Sequence, residues 1–133
     1  MSDFTFPRLL HFDGQNRLDG HIRFLSTGED FDFDVKRVFW ISGVPENAVR
    51  GVHAHKKEEQ LLVAISGTLI IDLEDKSGIK SKFVLDEPSK GLFIPAMHWS
   101  SVEFAHDAIL LGLGNMPFDE EDYIRDKDAF DQA

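Results

Sequence analysis

The stretch Arg50-Gly51-Val52-His53-Ala54-His55-Lys56-Lys57-Glu58-Glu59-Gln60 sets two imidazoles two residues apart with cations on either side. Side chains alternate faces along a strand, so His53 and His55 point the same way if this segment is extended. Two proton carriers on one wall, ringed by positive charge, suit proton transfer on an anionic substrate. The same spacing also suits a metal ion, and the functional question turns on that choice.

Charge narrows the substrate. The chain of 133 residues carries a formal net charge of −10, which argues against nucleic-acid binding. Residues 36 to 57 nonetheless hold Lys36, Arg37, Arg50, Lys56 and Lys57 against a single acid, Glu46. A locally basic segment in an acidic protein fits a small anionic ligand better than a polyanion. There is no cysteine, which excludes disulfides, thiolate metal ligands and a cysteine nucleophile. No stretch approaches the roughly 20 apolar residues that span a bilayer, and the N-terminal residues lack the pattern of a signal peptide. The expectation is a cytoplasmic protein of one domain, residues 1–133, with no membrane partner.

The elements that must hold these residues read as strands. Short apolar runs broken by turn residues occupy 21–26, 35–42, 50–55, 60–65, 68–74, 80–85, 92–95, 99–104 and 108–112. Ser66-Gly67 reads as a tight hairpin turn, and 75–78 and 86–89 as further turns. Many short strands at this spacing predict a sandwich or barrel. The acids of Asp119-Glu120-Glu121-Asp122 favour a helix N-terminus, and the chain is expected to end in one helix.

The turns, the His-x-His and the downstream Gly91-Leu92-Phe93-Ile94-Pro95 resemble the cupin superfamily, which implies an all-β, antiparallel jelly-roll barrel with a short C-terminal helix. Metal-binding cupins add a glutamate to the first motif and a histidine to the second. Counted from Gly67, the glutamate position holds Gln60, with Glu58 and Glu59 out of step. Counted from Pro95, the histidine position holds Ser100, and His98 has the parity that faces away. An amide and a hydroxyl are poor substitutes for those ligands, so neither a metal nor any other cofactor is expected.

A narrower resemblance follows from Lys36-Arg37-Val38-Phe39-Trp40-Ile41, from Arg50-Gly51 with His53 to Lys57 and Gln60, from the Gly91–Pro95 run with Trp99, and from Phe118-Asp119-Glu120-Glu121-Asp122-Tyr123-Ile124-Arg125-Asp126. These resemble the nucleotide-sugar 3,4-ketoisomerases. The resemblance implies a homodimer that moves the carbonyl of a dTDP-linked 4-keto-6-deoxyhexose from carbon 4 to carbon 3 through an enediolate. It implies His55 as base, His53 as partner or relay, and Arg50 steadying the enolate oxygen. Arg17, Arg37, Gln60 and Trp99 become candidates for holding the substrate, with arginine matched to the pyrophosphate. The sequence departs from the family at Phe39, where a tyrosine is usual, at Leu18, where a glycine is usual after Arg17, and in a shortened stretch after Trp99. Two alternatives stay open: a cupin module that binds a nucleotide sugar without turnover, and a metal-dependent cupin enzyme.

Overall fold

The structure is a computed structural model that describes residues 6–28 and 31–133. Among the described residues, ten strands and one short α-helix follow in order: β1 (Arg8–His11), β2 (Asp13–Arg17), β3 (Gly20–Phe24), β4 (Arg37–Ile41), β5 (Val49–His55), β6 (Gln60–Glu74), β7 (Lys80–Leu85), β8 (Lys90–Ile94), β9 (Trp99–Gly114), β10 (Tyr123–Ile124) and α1 (Lys127–Gln132). Strand pairs are antiparallel throughout, and the main sheet runs β1-β8-β6-β9-β5-β10, with β4 added to β9 and β7 to β6. Among the described residues, strands β2 and β3 pair only with each other. The architecture is the expected antiparallel barrel.

Period-two burial explains the barrel. On β6, Leu69, Ile71 and Leu73 are buried while Ile70, Asp72 and Glu74 are not. On β9, Val102, Phe104, Ala108 and Leu110 join them in one core with Leu62, Leu85 and Leu92. The β-branched and aromatic residues on these strands fit a pleated sheet buried on one side.

Two sequence expectations are corrected. Ser66-Gly67 is not a hairpin turn, because β6 runs straight through it. Pairing with β9 slips on either side of Ser66, and Gly67 has φ of +71°. Across from it, His106 and Asp107 also have positive φ, at +60° and +55°. Both strands bulge together, which bends the ladder where a turn would have ended it. A Cβ at residue 67 would lie 2.5 Å from Ala108 Cα, so only glycine fits. Likewise 99–104 and 108–112 are parts of one strand.

The C-terminal helix also starts later than expected. Asp119 caps a single 3-10 turn over Glu120–Asp122, and Tyr123 and Ile124 then pair with His55 and Ala54. Asp126 caps α1 by accepting from the Ala129 N–H. Phe130 of α1 packs with Ala54 and Ile124. The acidic run therefore forms a strap across β5, and the helix follows it. Among the described residues, no helix is long and apolar enough to cross a membrane.

Candidate active site

A cavity of about 400 Å³ opens inside the barrel, walled by β4, β5, the start of β6 and the strap, with Leu62, Ile94 and Phe104 at its apolar side. That size is ordinary for a small-molecule site.

Strand β5 brings His53 and His55 to the wall as alternation requires. Arg50 also reaches it, although an odd spacing from His53 would turn it away in a straight strand. The reason is a bulge: Arg50 pairs with Val102 and His53 with Ser100, so β5 carries one extra residue. Gly51 supplies the φ of +67° that the bulge needs. Ser100 Oγ lies 3.0 Å from the Gly51 carbonyl oxygen and 3.2 Å from that of His53, and it pins the bulge.

The two imidazoles are held differently. His55 Nδ1 donates to Asp122 Oδ2 at 3.1 Å, and its Nε2 lies 3.3 Å from the Gln60 amide nitrogen. Asp122 is itself buried and accepts from the backbone N–H groups of Lys57 and Glu58. An acceptor at Nδ1 leaves the lone pair of neutral His55 on Nε2, where the Gln60 amide donates to it. The ring of His53 makes no hydrogen bond among the described residues. Its ring lies edge-on to His55 at 4.9 Å and to Tyr123 at 4.9 Å. Burial, His55, Arg125 and Arg37 push His53 down to about 4, against a small opposing pull from Glu120. Burial also lowers His55, and the hydrogen bond and charge of Asp122 oppose that shift.

Gln60 and Arg37 line the cavity as expected. Arg37 Nη1 donates to Glu58 Oε1 at 3.2 Å, and its guanidinium lies over the rings of Phe39 at 4.7 Å and Phe118 at 5.3 Å. Phe39 fits because the facing residue is Gly112, where a Cβ would strike its ring at 2.1 Å.

Arg17 and Trp99 are not in the cavity. Arg17 sits on the β2–β3 hairpin, largely exposed and paired with Asp19 at 3.5 Å. Among the described residues β2 is registered only to β3, which leaves that arginine outside the cavity. Trp99 neighbours Ser100 on β9 and so faces the other way, against Phe130 at 5.8 Å. His98 was expected to face away, yet it lines the cavity. It lies in the turn before β9, where Met97 has φ of +58° and its own Nδ1 is 3.0 Å from the Ala96 carbonyl oxygen, so strand parity does not govern it.

Sequence reasoning missed Glu58, Asp122 and Tyr123 as site residues. Glu58 enters through the tight turn between β5 and β6, and Asp122 and Tyr123 through the strap. The quoted 118–126 run was the available signal for the last two. His55, Glu58 and Asp122 offer donor atoms within 4.8 Å of one another. Both oxygens of Asp122 already accept hydrogen bonds and the Arg37 cation lies on Glu58, so the triad suits a hydrogen-bonded network better than a divalent ion.

The site is thus an unequal histidine pair, His53 half-buried and His55 buried and backed by a carboxylate, in a basic-walled pocket of a cupin-like antiparallel barrel. A family model described as "WxcM-like, C-terminal" (FdtA) matches residues 5–133, and the chain belongs to that family. It is 34% identical over 112 residues to TDP-4-oxo-6-deoxy-alpha-D-glucose-3,4-oxoisomerase of Aneurinibacillus thermoaerophilus, covering 84% of this chain and 80% of that one. Among solved structures, it matches QdtA, a sugar 3,4-ketoisomerase from Thermoanaerobacterium thermosaccharolyticum in complex with TDP. The TM-score is 0.89 at 32% identity, over 95% of this chain and 92% of that one. The TDP-quinovose 3,4-ketoisomerase WlaRB of Campylobacter jejuni matches with a TM-score of 0.89 and 32% identity, over 97% and 99% of the two chains. A Mycobacterium tuberculosis rmlC epimerase shares the fold, with a TM-score of 0.78 at 12% identity, over 92% and 70% of the two chains.

Proposed function

We propose that this protein is a TDP-sugar 3,4-ketoisomerase acting on a TDP-linked 4-keto-6-deoxyhexose. The observation that carries the reading is the unequal histidine pair: His53 with no hydrogen bond to its ring among the described residues, and His55 tied to Asp122. A base must be unprotonated and free to reach carbon. His53 answers that description better than His55, whose two ring nitrogens are both engaged. The reading therefore exchanges the roles first expected, with His53 as base and His55 as its partner.

The chemistry balances without a redox cofactor. His53 takes the proton from carbon 3, the C3–H pair becomes the C3–C4 double bond, and the carbonyl oxygen on carbon 4 takes the charge. Arg50 on the same wall steadies that enediolate. The C3–C4 π pair then takes the proton from the His53 imidazolium to form the C4–H bond, which returns His53 to neutral, and the hydroxyl proton of O3 ends on O4 as the carbonyl appears at carbon 3. His55, backed by Asp122, is the group placed to pass protons among these positions. Arg37 has guanidinium nitrogens beyond the one bonded to Glu58, and these suit the pyrophosphate.

In this reading no metal takes part, since Gln60 and Ser100 stand where a cupin's stronger ligands would belong. The protein works as a homodimer in the cytoplasm, where nucleotide-activated sugars are made. Exposed Val38 and Trp40 on β4, which pairs with β9 alone, support an association face. Incubation with TDP-4-keto-6-deoxyglucose in deuterium oxide tests the function, because turnover must wash deuterium into carbon 3 or 4. Binding without exchange would make the chain a sugar-nucleotide binding module instead.

A further inference from the structure

We propose that Glu58 is a positioning residue: through Gln60 it keeps His55 unprotonated at Nε2, and Glu58 and His55 take up protons together. This rests on the reading above only where it concerns turnover.

The argument starts from hydrogen-bond polarity. Glu58 is 3% exposed; its Oε1 accepts from the Gln60 amide at 3.1 Å and from Arg37 at 3.2 Å, and its Oε2 is buried with no hydrogen-bond partner. A carboxylate only accepts, so Gln60 must turn its NH₂ group toward Glu58. The same NH₂ lies 3.3 Å from His55 Nε2. An N–H aimed at Nε2 supports a lone pair there and opposes a second proton. For His55 to become an imidazolium, Gln60 must turn its carbonyl oxygen to the ring. That oxygen then faces Glu58 and repels it, unless Glu58 has also gained a proton and can donate. Through one amide flip each protonation assists the other, against the direct attraction of the Glu58 carboxylate for a His55 imidazolium at 3.4 Å.

The same surroundings act on both groups. Glu58 faces Arg37 from β4, His55 from β5, Gln60 from β6 and Asp122 from the strap. Burial raises it, Asp122 adds to the rise, and the bonds from Gln60 and Arg37 oppose it. His55 is lowered by burial and by Arg37 and Arg125, against Asp122, with His53 and Tyr123 packed on its ring. Burial thus raises Glu58 and lowers His55. The orphaned Oε2 acts in the same direction, because a buried carboxylate oxygen without a donor disfavours the anion.

The test is an NMR titration of the substrate-free protein, following the His55 ring nitrogens and the Glu58 side-chain carbon. The expected result is one common midpoint with a slope approaching about two protons, falling to about one in the isosteric Glu58→Gln variant. Independent midpoints in the wild type, with a His55 slope of about one, would overturn the proposal even without the variant. The pH profile of kcat/KM gives the second arm. A steep acid limb that becomes shallow in Glu58→Gln ties the coupling to turnover. If the NMR coupling is present but the rate profile is the same in both proteins, the coupling stands and the role of His55 in catalysis fails.

Discussion

Strands β6 and β9 lie side by side from Gln60 to Glu74 and from Trp99 to Gly114, and their buried side chains are almost wholly apolar. The stretch from Gly51 to Gln60 is only two-thirds as long as β6, yet it buries His55, Glu58 and Gln60. The first region is held by alternation, and each of its residues is replaceable by another of similar size and period. The second is held by hydrogen bonds that name their partners: Ser100 on the bulge, Asp122 on the turn, Gln60 between Glu58 and His55. Damage to the ladder should therefore appear as lost stability, and damage to the turn as lost rate.

The largest effect on rate is expected for His53→Asn, which should lower kcat about 10²–10⁴-fold and leave TDP binding intact by calorimetry. An unchanged rate would remove His53 from the chemistry. The pH profile sharpens the point, since a base held near 4 stays neutral well below the ordinary histidine range. Activity should persist into mildly acid solution and fall on the acid side as His53 gains its proton. Stability follows the same sign. His53 is lowered on folding, so the unfolded chain binds the proton first, and stability should fall as pH drops from about 6.5 toward about 4.

In the ladder, Leu69→Ala should cost about 2–5 kcal/mol in denaturant unfolding with kcat unchanged in the folded fraction. Leu69 is fully buried in the main core and far from proton transfer in role. A large drop in kcat at full folding would break the separation between the two regions. Asp122→Asn should do the reverse in part. It keeps the volume and an acceptor for a backbone N–H, but no longer fixes the His55 tautomer, and a loss of about 10²-fold in kcat is expected from steady-state rates.

The same contrast explains what was legible in the sequence. The barrel could be read because Leu69, Ile71 and Leu73 repeat at the period of a strand. His53, His55 and Gln60 could be placed on one wall because each is introduced by strand geometry or by a spacing tied to it. His98, Glu58 and Asp122 were misplaced or missed because they enter from turns, where no period tells the direction of a side chain. Arg17 was read into the site from resemblance, and the isolated β2–β3 hairpin does not bring it there. Ser66-Gly67 was misread because a glycine at positive φ serves a bulge as well as a turn, and only its partner at His106-Asp107, across the sheet, decides between them.

The smallest effect is expected from removing metal. A catalytic divalent ion asks for several strong ligands at about 2.0–2.2 Å, with an open position left for substrate. Here His55 Nδ1 already donates to Asp122, Asp122 already accepts from two backbone N–H groups, and Arg37 already neutralises Glu58. An ion entering this triad would have to displace those bonds and sit beside a guanidinium, which is unfavourable for a second positive charge. At the other cupin ligand positions, Gln60 offers a neutral amide and Ser100 is spent on the Gly51 and His53 carbonyls. Exhaustive chelation followed by assay in metal-free buffer should therefore leave kcat within error of the untreated enzyme. Activity lost on chelation and restored by zinc, iron or manganese would mean that the turn between β5 and β6 is organised by a cation. The hydrogen-bond account of its contrast with the ladder would then fall.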